Sequence, residues 1–354
     1  MSDKVLMKGN EAIAEAAIMA GCRHFFGYPI TPQTEISAYL SKKMPKIGGT
    51  FLQAESEVAA INMVIGAAGA GKRAMTSSSS PGIALKSEGL SYLAGSDLPA
   101  VVVNVQRGGP GLGGIQPSQS DYFSATRSGG HGDFRMLTLA PGTVQEMLDL
   151  TYTAFELADR YRMTAMILSD GILGQMMEPV DISAKEPIAL PEKDWALTGT
   201  KKARGHNIIN SLYLQPNDLE KVNFERFARY DEIIESEVQS ESYLTEDADI
   251  VVVAYGAISR IAKNAINEVR KKGIKAGLFR PITVWPFPKK ELLALSKTVK
   301  SFVVAEMSMG QLIEDVELAI RCSKPVTLCR HAGGVVHTPE EIAKHIEREV
   351  LTWR

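Results

Sequence analysis

Short apolar runs alternate with helical patterns through residues 1–185. LPAVVVNV (98–105) and MTAMILSD (163–170) are examples of the runs, and TVQEMLDLTYTAFELADRYR (143–162) is a segment with helical spacing. Buried strands that alternate with helices are typical of a parallel α/β sheet. The pattern therefore predicts an α/β, parallel-sheet domain over residues 1–185.

The helix within 143–162 has a marked start. Thr143 precedes it, and Glu146 follows three residues later, which is the spacing of a capping box. In that motif the threonine hydroxyl accepts a hydrogen bond from the helix backbone, and the glutamate accepts one from the threonine N–H. We therefore expect Thr143 and Glu146 to cap this helix together.

Residues 186–246 interrupt the alternation and are mostly polar. Within them FERFARYDEII (224–234) has helical spacing, with Phe224, Phe227 and Ile234 placed to pack on a neighbouring element. Because disordered linkers contain few aromatic residues, we interpret this block as an ordered inter-domain arm. The alternation resumes over residues 247–354, which predicts a second, smaller α/β domain.

Composition and charge exclude several classes of protein. The chain has 354 residues, of which 45% are hydrophobic and 23% charged, and its formal net charge is -2. This balance is typical of a globular protein and gives no sign of a nucleic-acid partner. The N-terminus lacks a secretion-signal pattern, and no apolar run approaches the roughly 18 residues of a membrane span. We therefore expect a cytoplasmic protein without a nucleic-acid or membrane partner.

The three cysteines, Cys22, Cys322 and Cys329, form no CxxC pair. This argues against a disulfide framework, and against an iron–sulfur cluster or zinc site held by this chain alone. The six histidines also lack metal-ligand spacing, and His131 is interpreted as a loop residue. No metal site is predicted within the chain.

Two carboxylates, Glu55 and Glu57, precede a helical pattern of small and apolar residues, EVAAINMVIGAAG (57–69). One interpretation is that they complement the positive end of the helix dipole. The other is that the helix is buried, so that a carboxylate at its start faces a site and binds a proton or a ligand nitrogen. The residues alone leave both interpretations open.

Several polar residues follow predicted strands. Arg107 lies at a strand's C-terminal end, where open parallel sheets bind ligands, and its guanidinium can receive a carboxylate. The hydroxyls and Gly82 of TSSSSPG (76–82) can bind an anion at a helix N-terminus, or act only as caps. Gln119 and Asp121 have no assigned role.

Proline and threonine are concentrated in GYPITPQTE (27–35), at the end of another predicted strand. Because proline fixes the backbone, Pro29 and Pro32 favour a binding loop around Thr31 over a simple turn. Thr31 can also be the N-cap of the next helix, with Pro32 at its first position. Both roles can hold at once.

These stretches together resemble a known family. GYPITPQTEI, QAESEVAAINMVIGAAGAGKRAMTSSSSPG, VVVNVQRGGPG and QSDY resemble the α subunit of the 2-oxoacid:ferredoxin oxidoreductases. VVVAYGAISR, LFRPITVWPFP and VVAEMSMGQL resemble the transketolase C-terminal-like domain of that subunit. The resemblance covers nearly the whole chain and is greatest to the 2-oxoisovalerate (3-methyl-2-oxobutanoate, branched-chain) type, with the 2-oxoglutarate type as the alternative. It implies a pyrimidine-type thiamine diphosphate domain followed by that smaller α/β domain.

The resemblance also implies cofactors and partners. In the family, thiamine diphosphate lies between an α subunit that binds its aminopyrimidine and a β subunit that binds its diphosphate and Mg²⁺. SDGILGQ (169–175) differs from the GDG magnesium motif of thiamine enzymes, so Asp170 is interpreted as a turn residue. The implied partners are the β subunit, a γ subunit and/or a ferredoxin-like δ subunit with [4Fe-4S] clusters, and ferredoxin.

The resemblance assigns roles to five residues. Glu57 would bind the pyrimidine nitrogen from a largely apolar pocket, and Pro29 and Ile30 would also contact the cofactor. Thr31 would lie over the reacting centre, with Arg107 as a second group for the substrate carboxylate. The implied reaction converts a branched-chain 2-oxo acid and coenzyme A into acyl-CoA, carbon dioxide and reduced ferredoxin.

Three other function classes remain as alternatives. A non-catalytic assembly subunit is disfavoured because Thr31, Glu57 and Arg107 occur together. A self-sufficient thiamine enzyme is disfavoured because the magnesium motif is missing. A nicotinamide dehydrogenase is disfavoured because the glycines of GAAGAG (66–71) and the GGPGLGG loop (108–114) do not lie in the strand-to-helix turn that a dinucleotide fingerprint requires.

Overall fold

The computed structural model describes residues 4–127, 129–183, 185 and 189–353. The strands in these ranges are β1 (Lys4–Lys8), β2 (His24–Gly27), β3 (Thr50–Gln53), β4 (Ala74–Ser78), β5 (Ala100–Gln106), β6 (Leu137–Leu139), β7 (Thr164–Asp170), β8 (Met177–Asp181), β9 (Ser240–Tyr243), β10 (Ile250–Val253), β11 (Ala276–Pro281), β12 (Thr283–Trp285), β13 (Ser301–Glu306) and β14 (Val326–Arg330). The α-helices are α1 (Gly9–Met19), α2 (Thr34–Lys43), α3 (Glu57–Gly69), α4 (Ser80–Leu85), α5 (Ser87–Gly95), α6 (Tyr122–Thr126), α7 (Val144–Tyr161), α8 (Gly171–Gln175), α9 (Pro216–Ser236), α10 (Gly256–Lys271), α11 (Lys289–Leu295), α12 (Leu312–Ala319) and α13 (Pro339–Leu351).

The larger sheet confirms the predicted parallel α/β domain. Among the described residues it has seven strands in the order β12-β6-β7-β5-β4-β2-β3. Every neighbouring pair is parallel except β12 with β6. Every residue of β4, β5 and β7 is buried, because helices cover both faces of the sheet.

The second predicted α/β domain is also confirmed. Five strands in the described ranges form a sheet in the order β14-β13-β10-β11-β9. Its neighbouring strands are parallel except β9, which pairs antiparallel with β11. The strands β1 and β8 form a separate antiparallel pair. Among the described residues, no helix is both long and apolar enough to cross a bilayer.

The two large sheets exchange strands across the predicted domain boundaries. Strand β9 lies in the predicted arm, 186–246, yet it pairs with the C-terminal sheet. Strand β12 lies in the predicted C-terminal domain, yet it pairs with β6 of the N-terminal sheet. The predicted boundary at 185 adjoins residues 184 and 186–188, which lie outside the described residues. Both boundaries stay predictions.

The arm contains a helix, as predicted, but it packs with a different face. Helix α9 buries Arg226, Tyr230 and Ile233. Phe224 is 71% exposed, so the packing predicted for it is wrong. The buried stripe is centred on Tyr230, whose ring packs edge-on against Trp285, with ring centroids 5.4 Å apart.

The capping box of α7 is only half formed. The Thr143 hydroxyl accepts a hydrogen bond from the Glu146 N–H at 3.1 Å, as expected. The Glu146 carboxylate instead accepts from the Gly142 N–H at 2.7 Å, and it also pairs with Arg280 of β11. The reciprocal half of the prediction was wrong because this carboxylate faces an arginine of the other domain.

The two domains are also joined through Gln119, a residue without a predicted role. Its side chain is fully buried. The amide nitrogen donates to the Tyr255 carbonyl at 3.0 Å, and the amide oxygen accepts from the Met307 N–H at 3.0 Å. The Gln119 N–H donates to the Met307 carbonyl at 2.9 Å. Gln119 therefore fixes the segment after β5 onto the C-terminal domain.

Replacement of Arg280 tests how strongly the domain contact contributes to stability. Its buried guanidinium pairs with Glu146 and, at 3.0 Å, with Glu241. Arg280→Met should destabilise the chain by about 2–4 kcal/mol, because it leaves the partly buried Glu146 carboxylate without its cation and leaves Glu241 with Lys263 alone. Lys290→Met is the matched control, since Lys290 pairs with Glu235 at the exposed surface. It should cost at most about 0.5 kcal/mol.

Urea unfolding followed by circular dichroism measures both changes. Equal midpoints for the two variants would show that the Arg280 contact adds nothing to stability.

Candidate active site

Four loops converge at one edge of the large sheet. Strands β3, β2, β4 and β5 are successive neighbours and run in the same direction. Their C-terminal ends therefore share one edge, and the loops that follow begin at Ala54, Tyr28, Ser79 and Arg107. Ligands of open parallel sheets bind outside this edge. The sequence-predicted residues Thr31, Glu57 and Arg107 all lie in these loops or at their ends.

Glu57 is the first residue of α3, and its side chain is buried, with 6% of the residue exposed. Ser56 is the N-cap and accepts a hydrogen bond from the Ala59 N–H at 3.1 Å, which fixes the start of the helix. Glu55 is exposed. The structure therefore distinguishes the two glutamates, and Glu57 is the one that enters the interior.

A glycine lies directly against the Glu57 carboxylate. A Cβ atom built on Gly82 would be 2.6 Å from Glu57 Oε1 and 2.1 Å from Ser78 Oγ. Both distances are shorter than real Cβ contacts. Gly82 thus allows α4 to approach the carboxylate closely, and it brings the Ser78 hydroxyl to the same place.

The four serines at the end of β4 and the start of α4 divide into two pairs. Ser77 donates to the Gln33 amide oxygen at 2.6 Å, and Ser80 accepts from the Arg107 N–H at 3.0 Å. The hydroxyls of Ser78 and Ser79 are buried and have no hydrogen-bond partner among the described residues. Buried polar groups usually have a partner, so these two hydroxyls are candidates to hydrogen-bond a ligand, and that of Ser78 lies at the same glycine as the Glu57 carboxylate.

Lys86 is a buried cation that the sequence reasoning missed. The helical segment after Ser79 is divided at Lys86 into α4 and α5. The Lys86 residue is fully buried, and its ammonium donates to the Glu57 carbonyl at 3.4 Å. The expectation of a largely apolar pocket around Glu57 was therefore wrong. The spacing of Lys86 from the buried apolar residues Ile83 and Leu90 was a signal that it shares their face.

Burial changes the ionisation of this lysine. Desolvation lowers the pKa of the Lys86 ammonium to about 8, while the negative charge of Glu57 opposes that change. The two side chains are therefore electrostatically coupled.

Arg107 holds two loops together. Its guanidinium donates to the Thr31 carbonyl at 3.0 Å and to the Leu112 carbonyl at 2.9 Å. The residue is buried, and its Nε atom has no acceptor in the described part of the chain. The structure thus places Arg107 beside Thr31, and its Nε–H is a buried donor without an acceptor among the described residues.

The Thr31 loop is open at this edge. Thr31 and Pro29 are exposed, and Ile30 is half-buried. Helix α2 begins at Thr34 with Gln33 at the N-cap position, so the predicted N-cap role of Thr31 was wrong. The Thr31 hydroxyl remains available at the surface of the loop. Contacts of Pro29 and Ile30 with a cofactor stay predictions.

A cavity of about 740 Å³ lies between this edge and the C-terminal domain. Ser80, Gly109, Asp121 and Met307 are among the residues that line it. Asp121 accepts from the Asn104 amide at 2.8 Å, and burial raises the pKa of the Asp121 carboxyl despite hydrogen bonds from Ser80 and Asn104. Asp121 was singled out from the sequence without a role, and it lies on the wall of this cavity.

Asp170 is more than the predicted turn residue. It caps α8, where its carboxylate accepts from the Ile172 and Leu173 N–H groups at 2.8 and 3.2 Å. It is fully buried, and burial raises the pKa of its carboxyl to about 6, although these bonds and one from the Ala257 N–H oppose the shift. Within the described ranges, no three histidine, cysteine or acidic side chains are grouped as a metal site.

Comparison with known proteins places the chain and its fold in a family. Residues 15–243 match the family described as pyruvate flavodoxin/ferredoxin oxidoreductase, thiamine diphosphate-binding. Residues 248–342 match the pyruvate:ferredoxin oxidoreductase core domain II. The first match covers more than half of the chain and includes every loop of the converging edge.

The curated relatives cover the chain almost completely. Ketoisovalerate oxidoreductase subunit VorB of Methanothermobacter marburgensis is 48% identical over 98% of this chain and 97% of that protein. 2-Oxoglutarate synthase subunit KorA of Methanocaldococcus jannaschii is 39% identical over 98% of each chain. Both are named as subunits of larger enzymes.

A solved structure has the same fold. The 2-oxoglutarate:ferredoxin oxidoreductase of Magnetococcus marinus, solved with 2-oxoglutarate, coenzyme A and succinyl-CoA bound, superposes with a TM-score of 0.86 at 30% identity. The match covers 99% of this chain and 66% of the solved chain. A split-gene transketolase, at 13% identity and a TM-score of 0.62, shares the fold alone.

Gly82→Ala tests whether the Glu57 carboxylate needs the space that glycine leaves. The added methyl group would displace Glu57 Oε1 or Ser78 Oγ. We expect thiamine diphosphate binding to the assembled complex, measured by titration calorimetry, to weaken roughly tenfold or more. Gly66→Ala is the matched control, because a Cβ there meets nothing within 4 Å and α3 is otherwise unchanged. An unchanged affinity in Gly82→Ala would refute the close approach.

Proposed function

We propose, from the premise that this chain belongs to the 2-oxoacid:ferredoxin oxidoreductase family, that it is the subunit that binds the aminopyrimidine half of thiamine diphosphate. The complete enzyme would decarboxylate a branched-chain 2-oxo acid oxidatively. The observation that carries this proposal is the buried Glu57 carboxylate, which lies against Gly82 at the carboxyl edge of a parallel sheet.

The residues at this edge fit the aminopyrimidine ring. A carboxyl group can bind a ring nitrogen, and the unpartnered hydroxyls of Ser78 and Ser79 can bind the ring's amino group. Gly82 lets the α4 backbone lie against the Glu57 carboxylate and brings the Ser78 hydroxyl to the same place. Glu57, Ser78 and Ser79 are therefore the residues that would hold this half of the cofactor.

Thiamine diphosphate supplies a thiazolium carbon that adds to the carbonyl of a 2-oxo acid and takes up the electron pair released with carbon dioxide. The contribution of this chain is to hold and move a proton at the Glu57 carboxyl group, within hydrogen-bond reach of the bound ring nitrogen. Burial of Glu57 keeps water from competing for that proton.

Thr31 and Arg107 would bind the substrate. The exposed Thr31 hydroxyl can donate to the substrate carbonyl or carboxylate. Arg107 fixes the Thr31 loop through the Thr31 carbonyl, and its unpaired Nε–H can reach a carboxylate that enters the loop. Pro29 and Ile30, which precede Thr31, would line the cofactor side of the same loop.

The relatives favour 2-oxoisovalerate as the substrate. The relative that is 48% identical is named a ketoisovalerate oxidoreductase subunit, whereas the 2-oxoglutarate synthase subunits are 36–39% identical. Leu112 and Ile115 are exposed apolar side chains on the loop that Arg107 anchors, which suits an apolar substrate side chain better than a second carboxylate. 2-Oxoglutarate is the second candidate because those relatives carry its name.

Partner subunits would complete the reaction. The relatives are named as subunits, which supports a hetero-oligomer. We propose that a β subunit binds the diphosphate and Mg²⁺, and that γ and/or ferredoxin-like δ subunits accompany it. [4Fe-4S] clusters in the partners would pass the electrons to ferredoxin, and coenzyme A would take up the acyl group. A non-catalytic assembly role remains the alternative to this proposal.

The Glu57→Gln variant tests the proposed proton role. Glutamine keeps the shape of the side chain but cannot exchange the proton. We expect kcat of the assembled complex to fall by roughly 10²-fold or more in anaerobic, coenzyme A-dependent reduction of a viologen dye with 2-oxoisovalerate. Glu55→Gln is the matched control, because Glu55 is exposed and two residues away. It should keep the activity of the native complex.

Two results of that assay would correct the proposal. Full activity of Glu57→Gln would show that Glu57 is not the carboxyl group that acts on the cofactor. A higher kcat/KM for 2-oxoglutarate than for 2-oxoisovalerate would keep the family but change the substrate.

Arg107→Lys tests both the hydrogen bonds of Arg107 to the two loop carbonyls and its proposed contact with the substrate carboxylate. Lysine keeps the charge but cannot bond two carbonyl groups in the fork geometry of a guanidinium. We expect kcat/KM for the 2-oxo acid to fall roughly 10- to 100-fold, mainly through KM. The exposed Arg204→Lys is the control. An unchanged KM would show that Arg107 does not contribute to substrate binding.

A further inference from the structure

We propose that Lys86 is the buried counter-charge of Glu57, a positioning residue that holds the Glu57 carboxylate and the start of α3 ready for the cofactor ring. This inference rests on the proposed function, because it concerns the same site. Nothing in the sequence pattern of the cofactor loops points to Lys86, which lies outside them on the α4–α5 junction.

Few polar groups around Lys86 can stabilise its positive charge. The residue is fully buried between α4 and α5. Within the described chain its ammonium has one hydrogen bond, to the Glu57 carbonyl at 3.4 Å, and no carboxylate at ion-pair distance. An ammonium group has three donors, and a buried one is costly unless its charge is matched.

Glu57 is the charged group that matches it. Helix α3 contains no other titratable residue, and α4 contains none. Helix α5 contains Glu88 and Tyr92, which are hydrogen-bonded to each other at the protein surface. Beyond these, β5 ends beside Arg107, which is bound to loop carbonyls, and β7 ends in Asp170, which caps α8. Of these groups, Glu57 carries the charge that acts on Lys86.

The break between α4 and α5 at Lys86 allows both helices to pack closely on α3. A Cβ on Gly89 of α5 would be 2.5 Å from the Ile61 side chain of α3, so α5 packs tightly on α3. Gly82 of α4 packs as tightly on the Glu57 carboxylate. The lysine between these two glycines is therefore held against the first turn of α3, where its stem is buried and its ammonium faces Glu57.

The consequence is a dependence of cofactor binding on the charge of Lys86. The pKa of Lys86 is about 8, so the ammonium loses its proton as the pH rises through that value. In the assembled complex, we expect the dissociation constant of thiamine diphosphate to rise roughly tenfold between pH 7 and pH 9.5. Below pH 7 it should not depend on this group.

Two variants separate this effect from a structural one. Lys86→Met keeps the length of the stem and removes the charge, and its affinity should be weak and flat over the same pH range. Glu57→Gln should also lose the change near pH 8, because the charge that Lys86 matches is gone. Lys72→Met is the control, since Lys72 is exposed at the opposite end of α3. It should reproduce the pH profile of the native complex.

A second measurement needs no cofactor. In the cofactor-free complex, we expect Lys86→Met to lower the melting temperature less in a Glu57→Gln background than in the native one. The reason is that Glu57→Gln has already removed the interaction between the two charges, so Lys86→Met cannot remove it again. Equal effects in both backgrounds would overturn the pairing. If Lys86→Met fails to assemble, the pH profiles of the native complex and Glu57→Gln still decide.

The possible failures are distinguishable. If thiamine diphosphate binds and Glu57→Gln loses kcat, but the native pH profile is flat near pH 8 and Lys86→Met binds normally, only the role of Lys86 is wrong. If thiamine diphosphate does not bind to the native complex, or Glu57→Gln keeps full activity, the proposed function is wrong and this inference with it.

Discussion

The shared direction of β2, β3, β4 and β5 is the constraint on which the rest of the site depends. Four loops reach the same edge because all four strands end there. The Thr31 loop, the Glu57 helix start, the Ser78–Gly82 segment and Arg107 are separated in sequence by up to about 80 residues but become neighbours. The Glu57 carboxylate lies at the positive end of the α3 dipole, which favours a negative charge, and the buried Lys86 ammonium donates to the backbone carbonyl of the same residue.

The second constraint is that the C-terminal domain closes the same edge. Gln119 fixes the segment after Arg107 to Tyr255 and Met307, and Arg280 reaches back to the first turn of α7. Strand β9 of the arm joins the C-terminal sheet, and β12 of the C-terminal block joins the N-terminal sheet. A chain joined in this way holds the cavity wall in place. This is consistent with a subunit that supplies half of a shared cofactor site.

Much of this arrangement could be predicted from the sequence. Local signals were sufficient for the alternating strands and helices, for the cap by Thr143 and for the candidates Thr31, Glu57 and Arg107. Features set by distant contacts could not be predicted. Glu146 pairs with Arg280, which is 134 residues away, instead of completing the capping box. The buried face of α9 is the one that packs against Trp285, and it is not the face that the phenylalanines of the helix predicted.

Lys86 shows why the rest of the site was missed. A lysine on a helical pattern is usually solvated, and only its three- and four-residue spacing from Ile83 and Leu90 suggested otherwise. Its burial is decided by the close approach of α4 and α5 to α3, which depends on two glycines in tertiary contact. Close packing of this kind has no local signature, so a buried charge is easily assigned to the surface.

The most direct test of the account is a structure of the assembled complex with thiamine diphosphate bound. If Glu57 binds the cofactor, the pyrimidine ring nitrogen should lie about 2.6–3.2 Å from a Glu57 carboxylate oxygen. The account also predicts that Ser78 or Ser79 contacts the ring's amino group. A ring nitrogen bound by another side chain, with Glu57 out of hydrogen-bond reach, would contradict the central claim.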